Sequence, residues 1–445
     1  MKKTLALIMS LAVAAMSFAG CSKPSGSSAA PASGNAGTTS SAASAAPAAV
    51  TKLQLWTFVD QHGQFYKKRV AEWNKENANQ QIDLAVTVLP YDDMHNKLLI
   101  ALQSGVGAPD IADIEISKFP NFMKGTPQLV ELNKVLEPYM DKIVKSRVQI
   151  YSKDGKYYGI PFHVGATVIY YNMDIMKKAG IDPKTLTTWD QYHEAGKTVK
   201  QKTGKPITTF EPQDVFQQQL MVSQLGGYLM HDDGTADLNT PQLAQSLTFM
   251  RSMIHDGSAV TAPGGSHSAE EYFGYMNKGG AASVTMPLWY MDRFTQYMPD
   301  LKGKVMILPC PVFQAGEKRS VGLGGTGTAI TTQSKNPDLA EKFLLFAKLS
   351  KEGETAIWND LGFDPVRTDF WSDPSFKDAK NQFIDYFQDN PFDILNQIKD
   401  EIPAIKLGNG YADVISKVKT STFPKALTTN GDINTILKED QAALQ

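Results

Sequence analysis

The chain has 445 residues, 42% of them hydrophobic, with 44 Lys and Arg against 46 Asp and Glu, a formal net charge of −2. A balance so close to neutral offers no basic field for a phosphate backbone and argues against a nucleic-acid partner. The length exceeds what one compact core serves and implies two lobes of ordinary domain size.

Residues 1–21 read as an export signal. Lys2 and Lys3 give a positive start, Thr4 to Phe18 form an apolar run too short to span a bilayer, and Ala19-Gly20 precede Cys21. Phe18-Ala19-Gly20-Cys21 resembles the bacterial lipobox, with Phe18 where Leu is usual. The resemblance implies cleavage before Cys21 and lipidation of its sulfur, and two or three acyl chains anchor a protein where one does not. The alternative is an ordinary secretory signal with an incidental Cys. Residues 22–50 are almost all Ser, Ala, Gly, Pro, Thr and Asn, with Lys23 the only charge. Such a segment buries nothing and is expected to be a disordered tether spanning roughly 30 Å. Without Lys2 and Lys3 the balance is 42 basic against 46 acidic residues, net −4. No later stretch is long and apolar enough to cross a membrane. With Cys21 acylated, Cys310 has no partner, so no disulfide is expected and Cys310 reads as a buried structural thiol.

From Thr51 onward, strand-like and helix-like segments alternate. Leu53-Gln54-Leu55-Trp56 predicts a strand, and so does the alternation of Ile82, Leu84, Val86 and Val88. Between them Tyr66, Val70 and Trp73 fall at helical spacing with Asp60 as the expected N-cap, which makes Trp73 a core residue. A second helix is predicted over Asp92 to Ser104, stopped by Gly105, and a third strand over Asp110 to Ile116. This order predicts a parallel sheet wound right-handedly. A later helix marked by Leu339, Phe343 and Phe346 follows the glycine-rich Val321 to Thr328. Ligands of open sheets sit beyond the carboxyl ends of the strands. That selects Trp56-Thr57-Phe58, the segment Asp113 to Ser117 and the loop before Thr328.

Several further motifs, taken in order, resemble family 1 extracellular solute-binding proteins, the maltose-binding type of ABC sugar receptor. They are Tyr157-Tyr158-Gly159-Ile160-Pro161-Phe162, Tyr170-Tyr171-Asn172-Met173-Asp174, Ala179-Gly180-Ile181-Asp182, Thr188-Trp189-Asp190, Gly279-Gly280-Ala281-Ala282 before Pro287-Leu288-Trp289, and Gly324-Gly325-Thr326-Gly327-Thr328. More narrowly, Leu55-Trp56-Thr57-Phe58, Phe162-His163-Val164-Gly165-Ala166-Thr167, Ala262-Pro263-Gly264-Gly265, Trp289-Tyr290-Met291 and Leu361-Gly362-Phe363-Asp364-Pro365 look like the arabinose and arabino-oligosaccharide-binding lipoproteins of Gram-positive importers. The resemblance implies an α/β, two-lobe periplasmic-binding-protein-like fold with three hinge crossings, near Pro161 to Val164, Pro309 to Val312 and Gly362 to Val366. The first lobe would comprise residues 51–162 and 312–361, the second 163–311 and 362–445.

A sugar presents hydroxyls in fixed directions and apolar C–H faces, so its receptor needs flat aromatic surfaces with directional polar groups. Trp56 (with Thr57) on one lobe and Trp289-Tyr290 on the other are the expected platforms. Trp189, in a helix-start pattern, reads as structural. Asp113 and Glu115, two apart on a strand, share one face and are candidate acceptors of sugar hydroxyls. His163, beside Gly165 and Thr167 at the first crossing, is a third candidate, with His62, Glu211 and His267 further ones. Gly324 and Gly325 are expected to leave amides open to ligand, since the loop carries neither a Walker Lys nor a dinucleotide fingerprint. Phe363 and Asp364 are candidates at the third crossing, and Phe210 and Phe216 speculative ones. The histidines lack zinc-like spacing, and Asp232-Asp233-Gly234 with Asp237 lacks the closing Glu of a calcium loop, so neither a metal nor a cofactor is expected.

Two function classes remain open. The first, which the resemblance favours, is a monomeric receptor tethered outside the cell membrane that delivers an arabinose-type oligosaccharide to a two-subunit ABC permease driven by a cytoplasmic ATPase. The second is a surface-anchored carbohydrate-active enzyme with Asp113 and Glu115 as a carboxylate pair. A receptor feeding a membrane sensor is a lesser variant of the first.

Overall fold

The computed structural model describes residues 50–445, so the export signal, Cys21 and nearly all of the tether lie outside the described residues. Strand β1 (Thr51–Thr57) leads through helix α1 (Asp60–Glu76) to β2 (Ile82–Val88), and α2 (Tyr91–Ser104) leads to β3 (Ile111–Glu115). These strands are parallel with β1 between its two neighbours. The chain touches this sheet again in β4 (Ile160–Pro161) and leaves it for a second sheet of β5 (Thr167–Asn172), β6 (Ser283–Pro287) and β7 (Val305–Leu308). It returns in β8 (Thr326–Ile330), antiparallel to both β3 and β4. The first sheet is therefore mixed, in the order β2-β1-β3-β8-β4, and only its first three strands follow the all-parallel expectation. The second sheet is antiparallel with β5 in the middle, and every residue of β5 is buried.

Helices cover both faces of the first sheet. Leu53 and Leu55 pack with Phe65, Tyr66 and Trp73 of α1 and with Phe343, while Trp56, on the opposite face, packs with Met94, Leu98 and Leu102 of α2. Helix α1 begins at Asp60 itself, with Val59 at the cap making no side-chain bond, so Asp60 is a first-turn acid beside the positive helix end rather than the expected N-cap. Helix α2 ends at Gly105 in the left-handed conformation.

Between β5 and β6 lie α3 (Trp189–Thr203) and α4 (Phe216–Gln224); α5 (Met291–Tyr297) follows β6, and α6 (Pro337–Leu344) follows β8. A capping box starts α3, in which Thr188 Oγ1 accepts from Gln191 N and the Gln191 side chain accepts from Thr188 N. Trp189 is buried behind that cap and donates from Nε1 to Gln224 Oε1 at 2.8 Å. Cys310 is buried, its sulfur 3.6 Å from the Thr167 carbonyl, and burial pushes its thiol far above the ordinary range. Asp233 caps its own turn by accepting from Thr235 N and Oγ1. Among the described residues no helix is long and apolar enough to cross a membrane.

Trp73 meets the rings of Phe343 and Phe346 edge-on, at 6.1 and 5.5 Å, and donates to Gln80 O. Trp73→Ala opens a cavity between α1 and α6 and is expected to cost about 3–5 kcal/mol of stability, read from urea unfolding.

Candidate functional site

Beyond the carboxyl ends of β1 and β3 lies a cavity of about 300 Å³. One side is built by Phe58 and Val59 from the β1–α1 turn, Gln61 and His62 from the first turn of α1, Glu115 from the end of β3, and Gly324, Gly325 and Thr326 leading into β8. The other carries Phe216 from α4, Trp289 before α5, and Asp292, Arg293 and Gln296 on α5. His163, Asp360, Leu361, Phe363 and Gln382 complete it. The volume sits at the small end of the range typical of ligand sites, and the lining mixes aromatic rings with a few polar groups.

The floor beneath His62 is a buried ionic network. His62 Nδ1 lies 3.2 Å from Asp113 Oδ2 and donates to it. Asp113 also accepts from Tyr66 Oη (3.1 Å) and Thr328 Oγ1 (2.8 Å). Burial alone would raise this carboxyl, yet the His62 hydrogen bond and charge, with Lys348 and Thr328, hold it below the usual range. Lys348, also fully buried, donates to Ile160 O and Thr328 Oγ1, with its ammonium 3.6 Å from the centroid of Phe162. Burial brings that ammonium down to about 7, against the pull of Asp113. The His62 ring stacks on Phe162 at 4.0 Å. Asp113 is thus not the expected ligand contact: with no exposed surface, it orients the histidine that does line the cavity.

Glu115 does reach the cavity, held by Tyr91 Oη at 2.8 Å and by Ser117 N and Oγ. Burial raises its carboxyl above the usual range. Since Asp113 lies under the floor, the two acids do not face the cavity as a pair.

Gly325 adopts φ +130°, a conformation that side chains disfavour, and a β-carbon there would stand 2.8 Å from Arg147 Nη2 and 3.3 Å from Tyr151 Oη. Three buried polar atoms around this notch, Arg147 Nε, Tyr151 Oη and His163 Nδ1, have no hydrogen-bond partner. Of these three residues only His163 lines the cavity. Burial, reinforced by the Arg147 charge, holds His163 well below the usual imidazole range, so its ring is neutral.

Trp289 is half-buried, donates from Nε1 to Leu323 O at 3.1 Å, and meets Phe216 edge-on at 5.6 Å, which leaves it a flat apolar wall of the cavity. The other expected platforms lie elsewhere. Trp56 is packed under α2 with the Lys97 ammonium 4.5 Å from its ring centroid, because β1 is covered on both faces and its alternation turns Trp56 away from the cleft. Tyr290 is fully buried and donates to His267 O. Thr57 and Thr167 are also fully buried, Thr167 donating to Val321 O. Glu211 and His267 form a buried pair, with Glu211 accepting from His267 N at 2.7 Å and His267 Nε2 2.8 Å from Thr209 Oγ1. Phe210 is buried.

The segments expected to form the first and third crossings meet at Asp364. Its buried carboxylate accepts from Gly165 N (3.0 Å) and Ala166 N (2.9 Å), and its carbonyl accepts from Val164 N. Asp364 and Gly165 therefore join these two segments and do not line the cavity. Phe363, beside them, lines the cavity and packs edge-on to His163 at 4.8 Å.

Phe58 belongs to a segment that the reading of sequence selected, whereas that reading missed Gln61, Asp292, Arg293, Gln296, Asp360 and Gln382. The signal for three of these was their place directly after Trp289: on α5, Asp292 accepts from Arg293 Nη1 (2.7 Å) and from Gln296 Nε2. Burial raises the Asp292 carboxyl, with Arg293 opposing.

Residues 59–354 match the model of the family described as bacterial extracellular solute-binding protein. The chain is 47% identical to the arabinooligosaccharide-binding protein of Bacillus subtilis, over 85% of this chain and 88% of that one. It is 45% identical to the arabinooligosaccharide-binding protein of Halalkalibacterium halodurans, over 85% of each. Its fold matches the sugar-binding protein MalE of Xanthomonas citri with a TM-score of 0.75 at 17% identity, over 88% of this chain and 96% of that one.

Burial pushes the Asp364 carboxyl up to about 7, with the Ala166 and Gly165 amides pulling the other way. A carboxyl raised above its unfolded value of about 3.9 stabilises the fold fully at low pH, and that contribution is lost as pH rises through about 7. Asp113, held low, acts in the opposite direction, its contribution being lost as pH falls below about 4. Asp364→Asn is expected to flatten the fall in stability between pH 4.5 and pH 7.5, measured as the difference between wild-type and variant urea midpoints across that window.

Proposed function

This chain belongs to the bacterial extracellular solute-binding proteins, and from that premise we propose that it captures an arabinose-type oligosaccharide outside the cytoplasm and delivers it, unaltered, to an ABC importer. The identity of 45–47% to two arabinooligosaccharide-binding proteins over most of the chain carries the choice of sugar. The cavity supports it with Trp289 and Phe216 as apolar surfaces and Glu115, His62, His163, Gln61 and the Asp292–Arg293 pair as directional polar groups. Partners in this reading are a two-subunit permease and its ATPase, met by the receptor as a monomer. Lipidated Cys21 and the tether keep it at the outer face of the membrane.

Closure of two lobes over the sugar belongs to the same proposal, with crossings near residues 161–164 and 362–366. The middle crossing is drawn at residues 324–326 in place of 309–312. Val312 bonds to Thr187 and Trp189 at the start of α3, Val321 and Leu323 bond to Thr167 and Gly165, and pairing with the first sheet resumes only at Thr326. Residues 312–323 then go with the second lobe.

Trp289→Ala removes the apolar wall and is expected to weaken sugar binding by roughly 2–4 kcal/mol, in the range of a buried aromatic hot spot, with little change in the melting midpoint of the sugar-free protein. Calorimetric titration reads the first and a thermal scan the second. Normal binding with an early melt would make Trp289 a packing residue. Chromatography after long incubation is expected to return intact oligosaccharide; free arabinose released with turnover would favour an enzyme.

Cys21→Ala is expected to leave sugar affinity intact and to move the protein from the membrane fraction into the soluble extracytoplasmic fraction, checked by fractionation. Retention on membranes would overturn the lipid anchor.

A further inference from the structure

Behind the wall that carries Phe216 and Trp289 lies a buried polar cluster that does not reach the cavity. Its centre is Thr209, in the short strand Thr208–Phe210, and His267, which follows the turn Pro263–Gly265. In that turn Gly264 and Gly265 adopt φ +70° and +76°, and a β-carbon on Gly265 would stand 2.6 Å from Gln213 Nε2, so glycine is required where the chain bends inward to His267. His267 Nε2 lies 2.8 Å from Thr209 Oγ1, which is also 2.8 Å from Tyr272 Oη, and the Tyr272 ring packs on the imidazole at 4.4 Å. Glu211 Oε1 accepts from His267 N at 2.7 Å, and Glu211 Oε2 stands 3.3 Å from His267 Nδ1.

Two bonds run from this cluster to the cavity wall. Tyr290 Oη donates to the His267 carbonyl, and Tyr290 directly follows Trp289. The Tyr290 ring sits among Tyr170, Phe273 and Phe294, where a phenyl ring would pack equally well, so what the hydroxyl adds is this bond. Gln217 Nε2 donates to the Thr209 carbonyl at 3.1 Å, and Gln217 directly follows Phe216. Val215 at the cap of α4 makes no side-chain bond, so Gln217 ties the first turn of that helix to the rest of the wall. Phe216 and Trp289 come from segments far apart in the chain, yet each is the neighbour of a residue bonded to the same Thr209–His267 pair. Their edge-on contact at 5.6 Å thus rests on a common base.

We propose that Thr209 and His267 are positioning residues for sugar capture, acting through Gln217 and Tyr290 to hold Phe216 and Trp289 as one apolar surface. This rests on the proposed function, which supplies the sugar that the surface meets, and gives a role to two buried residues that touch no ligand. Rings already aimed cost less to order on binding than mobile ones. His267 and Glu211, expected from the sequence as ligand contacts, act one layer behind the residues that line the cavity.

The test reads the wall without sugar and with it. Tyr290→Phe removes the hydroxyl that bonds the His267 carbonyl, and Thr209→Val the hydroxyl at the centre of the cluster. Trp289 emission is taken as the difference between each protein and its Trp289→Phe partner, and its quenching by acrylamide is measured in the sugar-free state. Each variant is expected to raise that quenching roughly twofold, as the ring gains rotameric freedom, while urea unfolding shows both variants folded. In calorimetric titration with arabinotriose each is expected to weaken binding about three- to tenfold, and to lose that effect when Trp289→Ala is already present. Unchanged quenching overturns the proposal. So does raised quenching with wild-type affinity, or an equal loss of affinity in the Trp289→Ala background. If Thr209→Val fails to fold, Tyr290→Phe decides, since it leaves the packed ring in place. Raised quenching in the variants with no binding of arabinotriose by wild type upholds the hold on Trp289 and overturns arabino-oligosaccharide capture.

Discussion

The carboxylate of Asp364 is the point from which the site is organised. Burying a carboxyl is unfavourable unless its oxygens are satisfied, and here the backbone amides of Gly165 and Ala166, almost two hundred residues away in the chain, satisfy them. The bond fixes the first crossing against the third and sets His163 and Phe363 side by side at the cavity. Gly165 completes the join. Its φ is +66°, and a β-carbon there would stand 2.5 Å from the Leu323 carbonyl, so the glycine-rich loop packs directly onto this joint. Three chain segments, residues 164–166, 322–325 and 363–366, thus meet at one joint beside the cavity.

Around that joint the first-sheet wall of the cavity is held by buried charge. Arg147 donates to Gly322 O and Gly324 O and so shapes the loop that reaches the cavity. Lys348 reaches Asp113 through Thr328, and Asp113 in turn orients His62. Such pairs contribute little net stability, because desolvation offsets their attraction. What they give is position: polar groups that face a ligand already aimed cost less to order on binding than mobile ones.

Much of this was legible in the sequence, for identifiable reasons. The alternation of Ile82 to Val88, the Trp73 stripe and the Thr188 cap are local signals, and the helices and strands form where they predict. Of the segments chosen by the rule that ligands sit beyond strand ends, Phe58, Glu115, Gly324 and Gly325 line the cavity, as do His62, His163, Trp289 and Phe363, which were chosen on other grounds. The rule could not assign faces. With helices on both sides of β1, an aromatic in either register can be buried, and Trp56 fell on the face under α2. Asp364 and Asp113 were read as ligand contacts, yet a carboxylate that touches a sugar and one that accepts backbone or histidine protons look alike until the partners are seen. Asp292, Arg293 and Gln296 were missed because a short polar helix has no signature of its own; only its position after Trp289 distinguishes it.

The two walls differ in kind, and this bears on closure. One is the rigid edge of a sheet, its groups pinned by buried partners. The other presents side chains near the starts of α4 and α5, where Phe216 and Trp289 are only half-buried and brace each other edge to edge. A ligand shifts an equilibrium between open and closed forms only by contacts that differ between the two. Contacts to the pinned edge alone are equal in both forms and shift nothing. In the proposed closure, a molecule that spans from Glu115 and His62 to Trp289 and Phe216 would make its second set of contacts only when the walls approach, so reach across the cleft, more than strength of contact on either side, would determine which sugars drive it.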